Sequence, residues 1–322
     1  MFLAEKVHVS ACINQAYARM KALLFPFNLQ KWLTLGLCAW VLTLGEAGGG
    51  SGGRGFDKAF GKTENNQTLL EMLNTIFWGE GSVFERFAKV FDTGTQTIQI
   101  IFWGAVLLLL VVITLSIVVA YFQGRLRFVW LDNLLNNRAQ LQRVYREYEE
   151  QGVDFFKGKL FIDIWYYVIA LCLAGATLYP GIRYLRESAR LGEWCSFNSF
   201  LGTGIILGAI LVLLNIAVTI YLACLFTFTP LMMYKHDCSF DEAWRLFNDM
   251  LSQRKIEFVK YIVCNWLINM AAGVLLMFLL LCSCCILAIP LALPVIGATI
   301  LLPWYVMRSY FAIEFYEKLT EE

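Results

Sequence analysis

The sequence predicts an all-α integral membrane protein with six transmembrane helices and three amphipathic helices at the cytoplasmic interface. Three observations carry this. The 322 residues are 59% hydrophobic, with a mean hydropathy of +0.60, well above a soluble domain. The charges cluster between long apolar runs instead of spreading evenly. Three segments ahead of those runs share one helical spacing.

The repeat is read first. One segment carries Ile13, Ala16, Tyr17, Met20, Leu23 and Leu24. A second carries Leu141, Val144, Tyr145 and Tyr148. A third carries Phe240, Ala243, Trp244, Phe247, Met250 and Leu251. The spacing i, i+3, i+4, i+7 makes one apolar helix face. The first and third segments superpose position for position, and the second ends early at Gln151 and Gly152. A single membrane domain over 1–322 thus divides into pseudo-repeated helix-plus-hairpin units, roughly 1–123, 124–235 and 236–322. Tyr17, Tyr145 and Trp244 are the expected repeat anchors, each with an apolar ring and a polar tip suited to an interface. Arg143, Glu147 and Arg245 mark the expected wet faces.

An apolar helix of about 20 residues crosses the hydrocarbon core. Ile98–Phe122 is the clearest candidate. Phe161–Tyr179, closed by Pro180-Gly181, comes next, then Phe200–Phe228 and Phe258–Leu281. Ile286–Met307 is interrupted by Pro290, Pro294 and Pro303, so its first part reads as a turn. Trp32–Gly45 is short for a span and is kept because the repeat needs a partner for 98–122; a re-entrant or interfacial segment is the alternative. With six spans, 18 basic residues fall in one set of loops and 8 in the other, which places both termini in the cytoplasm. The polar stretch 46–96 becomes an outer loop with a glycine-rich start and a short amphipathic helix over 69–77.

Few motifs point to chemistry. Gly55–Thr63 imitates a phosphate-binding loop, but its glycines are one residue too far apart and no strand precedes them. Cys282, Cys284 and Cys285 form the densest thiol cluster. Small-residue packing, a soft-metal site or a disulfide with Cys195 are the open readings. Ser239–Glu242 fits a capping box. Asn215, Asn265, Asn269 and Asp163 are the polar residues placed within spans. Asn265 and Asn269 share a face and can bond to neighbouring helices; a transport site is the alternative. Gly204 and Gly208 permit close helix approach, within the chain or in a homodimer. No cofactor, metal or nucleophilic triad is expected, and the formal charge of +1 gives no reason to expect nucleic acid.

Some stretches are familiar. They are Phe27–Trp40 with the glycine run after it, Gly124-Arg-Leu-Arg-Phe128-Val-Trp-Leu-Asp132 with 143–156, Ala243-Trp244, and the Pro303-Trp-Tyr end. Together they resemble a group of uncharacterised bacterial inner-membrane proteins, similar in layout to the membrane domain that accompanies some glycerophosphodiester phosphodiesterases. The resemblance covers most of the chain and implies a six-span bundle in a bacterial cytoplasmic membrane. It carries over no catalytic residue, because the phosphodiesterase chemistry belongs to a separate domain. The expectation is a non-enzymatic protein that organises membrane, contacts lipid or binds a partner; the alternative is a permease for a small solute or lipid.

Overall fold

The computed structural model describes residues 9–44, 96–191, 197–283 and 288–320. The expected outer loop 46–96 lies almost wholly outside them, with the glycine-rich run and the phosphate-loop imitation. Cys195, Cys284 and Cys285 lie outside them too.

Among the described residues every regular element is a helix. In chain order these are α1 (Val9–Leu24), α2 (Leu29–Thr43), α3 (Gln96–Leu135), α4 (Gln142–Glu147), α5 (Glu149–Leu191) and α6 (Phe197–His236). They continue as α7 (Phe240–Gln253), α8 (Lys255–Cys282), α9 (Ala288–Ala292), α10 (Pro294–Ile300) and α11 (Leu302–Thr320). Among the described residues three helices are long and apolar enough to cross a membrane: Trp103–Leu135, Gly208–His236 and Lys255–Cys282. A fourth arises if α10 and α11, bent by 60°, form one broken span. At 15 residues, α2 reaches only about 22 Å, short of the hydrocarbon thickness.

Helices run past the apolar stretches that suggest them. The apolar run 98–122 continues as α3 to Leu135, and 200–228 continues as α6 to His236. In each extension a buried face takes over, with Phe128, Val129 and Leu134 on α3 and Leu231, Met232 and Met233 on α6. Pro180 does not end α5, which reaches Leu191. A proline removes one hydrogen bond and bends a helix without always stopping it. The middle segment of the repeat is cut short: α4 spans only Gln142–Glu147, and α5 restarts at Glu149.

The chain forms two compact units, Met1–Gly48 with Val119–Leu160 and Leu222–Glu322, and Gly49–Val118 with Phe161–Tyr221. The first has an aromatic core. The Phe228 ring lies 5.1–6.3 Å from those of Phe247, Phe258, Tyr261 and Phe315. These come from α6, α7, α8 and α11, so one side chain joins four helices. Around it α1 packs along α11, and α2 lies against α10. The α2–α10 contact is close because Gly36 lacks a side chain; a Cβ there would collide with Thr299. Helices α3 and α5 also approach at glycines, since a Cβ on Gly152 would sit 2.8 Å from Arg125 Cα.

The second unit contains apolar helix surface. Leu107–Val118 of α3 is exposed at every position, and so is Val212–Ile220 of α6. Thr114 and Ser116, the polar residues of the α3 stretch, donate to Leu110 O and Val112 O at 2.8 Å and so add no unmet polarity.

Candidate functional site

The three expected repeat anchors differ in exposure. Ala16, Val144 and Ala243 are buried, and Tyr145 and Trp244 beside them are half-buried. Tyr17 is 57% exposed on the chain's surface, where the expectation for all three anchors is a place toward the bundle or the lipid boundary. Adjacent helical residues point about 100° apart. With Cys12, Ala16 and Leu23 buried, Tyr17 falls on the flank of α1. Arg143, Glu147 and Arg245 are exposed.

The polar residues within apolar helices do not converge on one cavity. In the second unit Asn215 Nδ2 donates to Tyr166 Oη at 3.2 Å, and Tyr166 Oη lies 3.4 Å from Thr219 Oγ1. In the first unit Asn269 donates to Asn265 O at 2.8 Å. Asn265 Oδ1 is buried with no hydrogen-bond partner among the described residues. Asp163 is half-buried. Gly208 has open space where a Cβ would stand, and the surroundings of Gly204 lie outside what is described. Cys282 is an exposed free thiol.

A different set of residues does converge. Within the first unit a cavity of about 100 Å³ opens between α2, α3, α6, α8 and α11. Two arginines line it, Arg127 from α3 and Arg308 from α11, with no acidic residue in the lining. Its walls include the aromatic rings of Trp130, Tyr261 and Tyr305. Trp130 Nε1 donates to Ser309 Oγ at 3.0 Å, which fixes the ring. The lining hydroxyls of Thr43, Thr227 and Ser309 donate to carbonyls of their own helices at 2.7–3.0 Å.

The acids nearest in sequence are turned elsewhere. Asp132 accepts from Tyr234 Oη at 2.9 Å and from Asn136 Nδ2 at 2.7 Å. Glu314 Oε1 lies 2.6 Å from Arg19 Nε. The cavity wall thus brings two arginines and three aromatic rings together. In the sequence, Arg127 and Arg308 are two of the 18 basic residues that set the expected orientation. A usable signal was present: each sits three or four residues from a tryptophan inside otherwise apolar sequence, as Arg127-Phe-Val-Trp130 and Trp304-Tyr-Val-Met-Arg308.

Among the described residues no group of three His, Cys, Asp or Glu side chains is placed to hold a metal. Burial pushes the Cys12 and Cys238 thiols up, which disfavours the thiolate a soft metal requires.

The model of a family of unknown function, DUF7544, matches residues 7–315. The chain belongs to the DUF7544 family. No curated protein and no solved structure matches it. The matched range of this DUF7544 member contains the whole cavity lining and Asp163, Asn215, Asn265 and Asn269.

Proposed function

We infer that this DUF7544 member is a non-enzymatic protein of a bacterial cytoplasmic membrane that works through contact with lipid, organising the bilayer or a partner within it. The carrying observation is the α3 stretch Leu107–Val118, apolar and exposed around its whole circumference. A helix face of that kind would be costly in water and is at ease in hydrocarbon. In this reading the chain has six spans and both termini in the cytoplasm, following the 18 to 8 basic-residue bias. Helices α1, α4 and α7 then lie along the cytoplasmic interface, with Ala16, Val144 and Ala243 inward and Arg143 and Arg245 in water. The layout shared with the membrane domain beside some glycerophosphodiester phosphodiesterases belongs to the same reading. So does a homodimer through Gly204 and Gly208.

Tryptophan quenching tests the lipid contact. Trp103, Trp165 and Trp266 are 65%, 54% and 59% exposed, whereas Trp130 is 6% exposed. Single-tryptophan variants in bilayers of brominated-chain lipid should show strong quenching at the first three and little at Trp130. Unquenched Trp103 and Trp266 would remove lipid as the covering of these helices.

A further inference from the structure

We propose that the corner between α1 and α2 is a wedge that seats in the headgroup layer of a bilayer carrying anionic lipid, with Phe25 and Phe27 below the headgroups and Lys21 and Lys31 among them. The local sequence supplies the chemistry. Residues 6–45 contain four basic residues and no Asp or Glu. Arg19 is turned to Glu314 and Glu317 of α11. Lys21 is exposed, and half-buried Lys31 donates to Asn137, a neutral partner. Phe25, Phe27 and Leu29 are each more than half exposed beside these lysines. Large apolar side chains grouped on a surface mark a contact site, and the cations beside them match an anionic partner.

The tip is held outward by polar bonds beneath it. The Phe25 and Phe27 rings lie 6.5 and 5.1 Å from that of Trp32, whose Nε1 donates to Leu24 O at 3.0 Å. Asn28 caps α2, its side chain accepting from Lys31 N at 3.3 Å. Two relations then set its depth. Lys31 Nζ lies 2.9 Å from Asn137 Oδ1, two residues beyond Leu135, where the candidate span Trp103–Leu135 ends. Leu29, Leu33 and Leu37 recur every fourth residue along α2 and are all exposed, so the apolar surface of the tip continues along one helix face. On α1, Tyr17 and Lys21 are one turn apart and exposed, and Phe25 N still bonds to Lys21 O. The stripe Tyr17, Lys21, Phe25 gives the exposure of Tyr17 a reason: rings rest at headgroup depth while a lysine reaches up to the phosphates.

The wedge rests on the membrane reading above, and photo-crosslinking separates the two. Full-length protein with Phe25, Phe27 or Leu110 replaced by the photoreactive p-benzoylphenylalanine is reconstituted into vesicles of equal moles of phosphatidylcholine and phosphatidylglycerol. All three positions are exposed, and Phe25 and Phe27 are alternatives should one variant fail to fold. After irradiation, adducts are identified by mass spectrometry. Lipid adducts are expected at 25 and 27, with phosphatidylglycerol favoured about fivefold, the worth of one lysine at an anionic surface. Lys21→Gln should remove most of that preference, as should salt near about 1 M, while total lipid adduct holds. Leu110, within the exposed apolar stretch of α3, should give adducts with no preference between the two lipids. Lipid adducts at 110 with none at 25 and 27 would overturn the wedge and leave the membrane reading standing. Loss of lipid adducts at 110 would overturn the membrane reading and the wedge with it. Adducts at 25 and 27 to a second copy of the chain in place of lipid, or an equal share of the two lipids unmoved by Lys21→Gln, would also overturn the wedge.

Discussion

Arg19 Nε lies 2.6 Å from Glu314 Oε1, and this ion pair ties α1 to α11, the first and last described helices. Arg19 also reaches Glu317 at 3.1 Å, and Lys235 of α6 meets Glu317 at 3.0 Å. The Glu314 side chain is 5% accessible and that of Arg19 is 44%. Removing Arg19 therefore takes a charge partner from a nearly dry carboxylate. A fully buried pair loses about 3–5 kcal/mol in this way, but the exposure of Arg19 screens part of it. Arg19→Ala is expected to cost about 2 kcal/mol in thermal unfolding in detergent. Arg19→Leu combined with Glu314→Leu should recover part of the loss. Wild-type melting in Arg19→Ala would mean the pair does not hold the two helices.

Phe228 is the second pressure point. It is fully buried and its ring meets rings from three other helices. Phe228→Ala removes the ring and leaves a cavity, for an expected loss of about 3–5 kcal/mol. Phe228→Leu keeps much of the volume and should lose less. The comparison is made by melting in detergent; equal losses would indicate that the four-helix junction collapses around either residue.

The sequence made some elements readable and hid others for physical reasons. The run 98–122 announced α3 because no charged residue interrupts it. Ser239 and Glu242 announced the start of α7, where each side chain accepts from the other's backbone N–H. The end of the chain was misleading. Residues after Met307 carry Arg308, Glu314, Glu317 and Lys318 and lie beyond the last expected span, yet Tyr310–Tyr316 is buried at every position. A helix enclosed on all sides shows no single apolar stripe, so periodicity cannot find it. The cavity stayed hidden because Arg127 and Arg308 lie far apart in the chain and meet only through helix packing.

The glycines separate close helix contacts from open surface. A Cβ on Gly36 would stand 3.2 Å from Thr299 Cα, and one on Gly152 would stand 2.8 Å from Arg125 Cα. Gly208 and Gly273 would meet nothing within 4 Å. Alanine gains about 1 kcal/mol of helix propensity over glycine, while forced overpacking costs about 1–3 kcal/mol. Gly152→Ala and Gly36→Ala should therefore be neutral to destabilising, and Gly208→Ala and Gly273→Ala stabilising. Gly208→Ile adds the dimer test. A lower dimer fraction by cross-linking than in Gly273→Ile would support the Gly204 and Gly208 face, and equal fractions would remove it.

Thiol chemistry tests burial and membrane placement together. Cys12 is fully buried and Cys238 is half-buried; burial raises both thiols, and the Glu242 charge adds to it at Cys238. Cys172 is exposed on α5, within the stretch expected to cross the membrane. A raised thiol holds less thiolate at neutral pH, and thiolate is the reacting form. The rate at Cys238 should therefore climb about tenfold per pH unit and keep rising above the pH where a free cysteine levels off. Cys12 should react only after denaturation, because reagent cannot reach it. Cys172 should be protected from a water-soluble maleimide in bilayers despite its exposure in the isolated chain, since hydrocarbon excludes both the reagent and the charged thiolate. Single-cysteine variants labelled from pH 7 to 10 and read by mass spectrometry decide each point. Labelling of Cys172 as fast as Cys238 in intact bilayers would place that part of α5 in water and break the six-span topology.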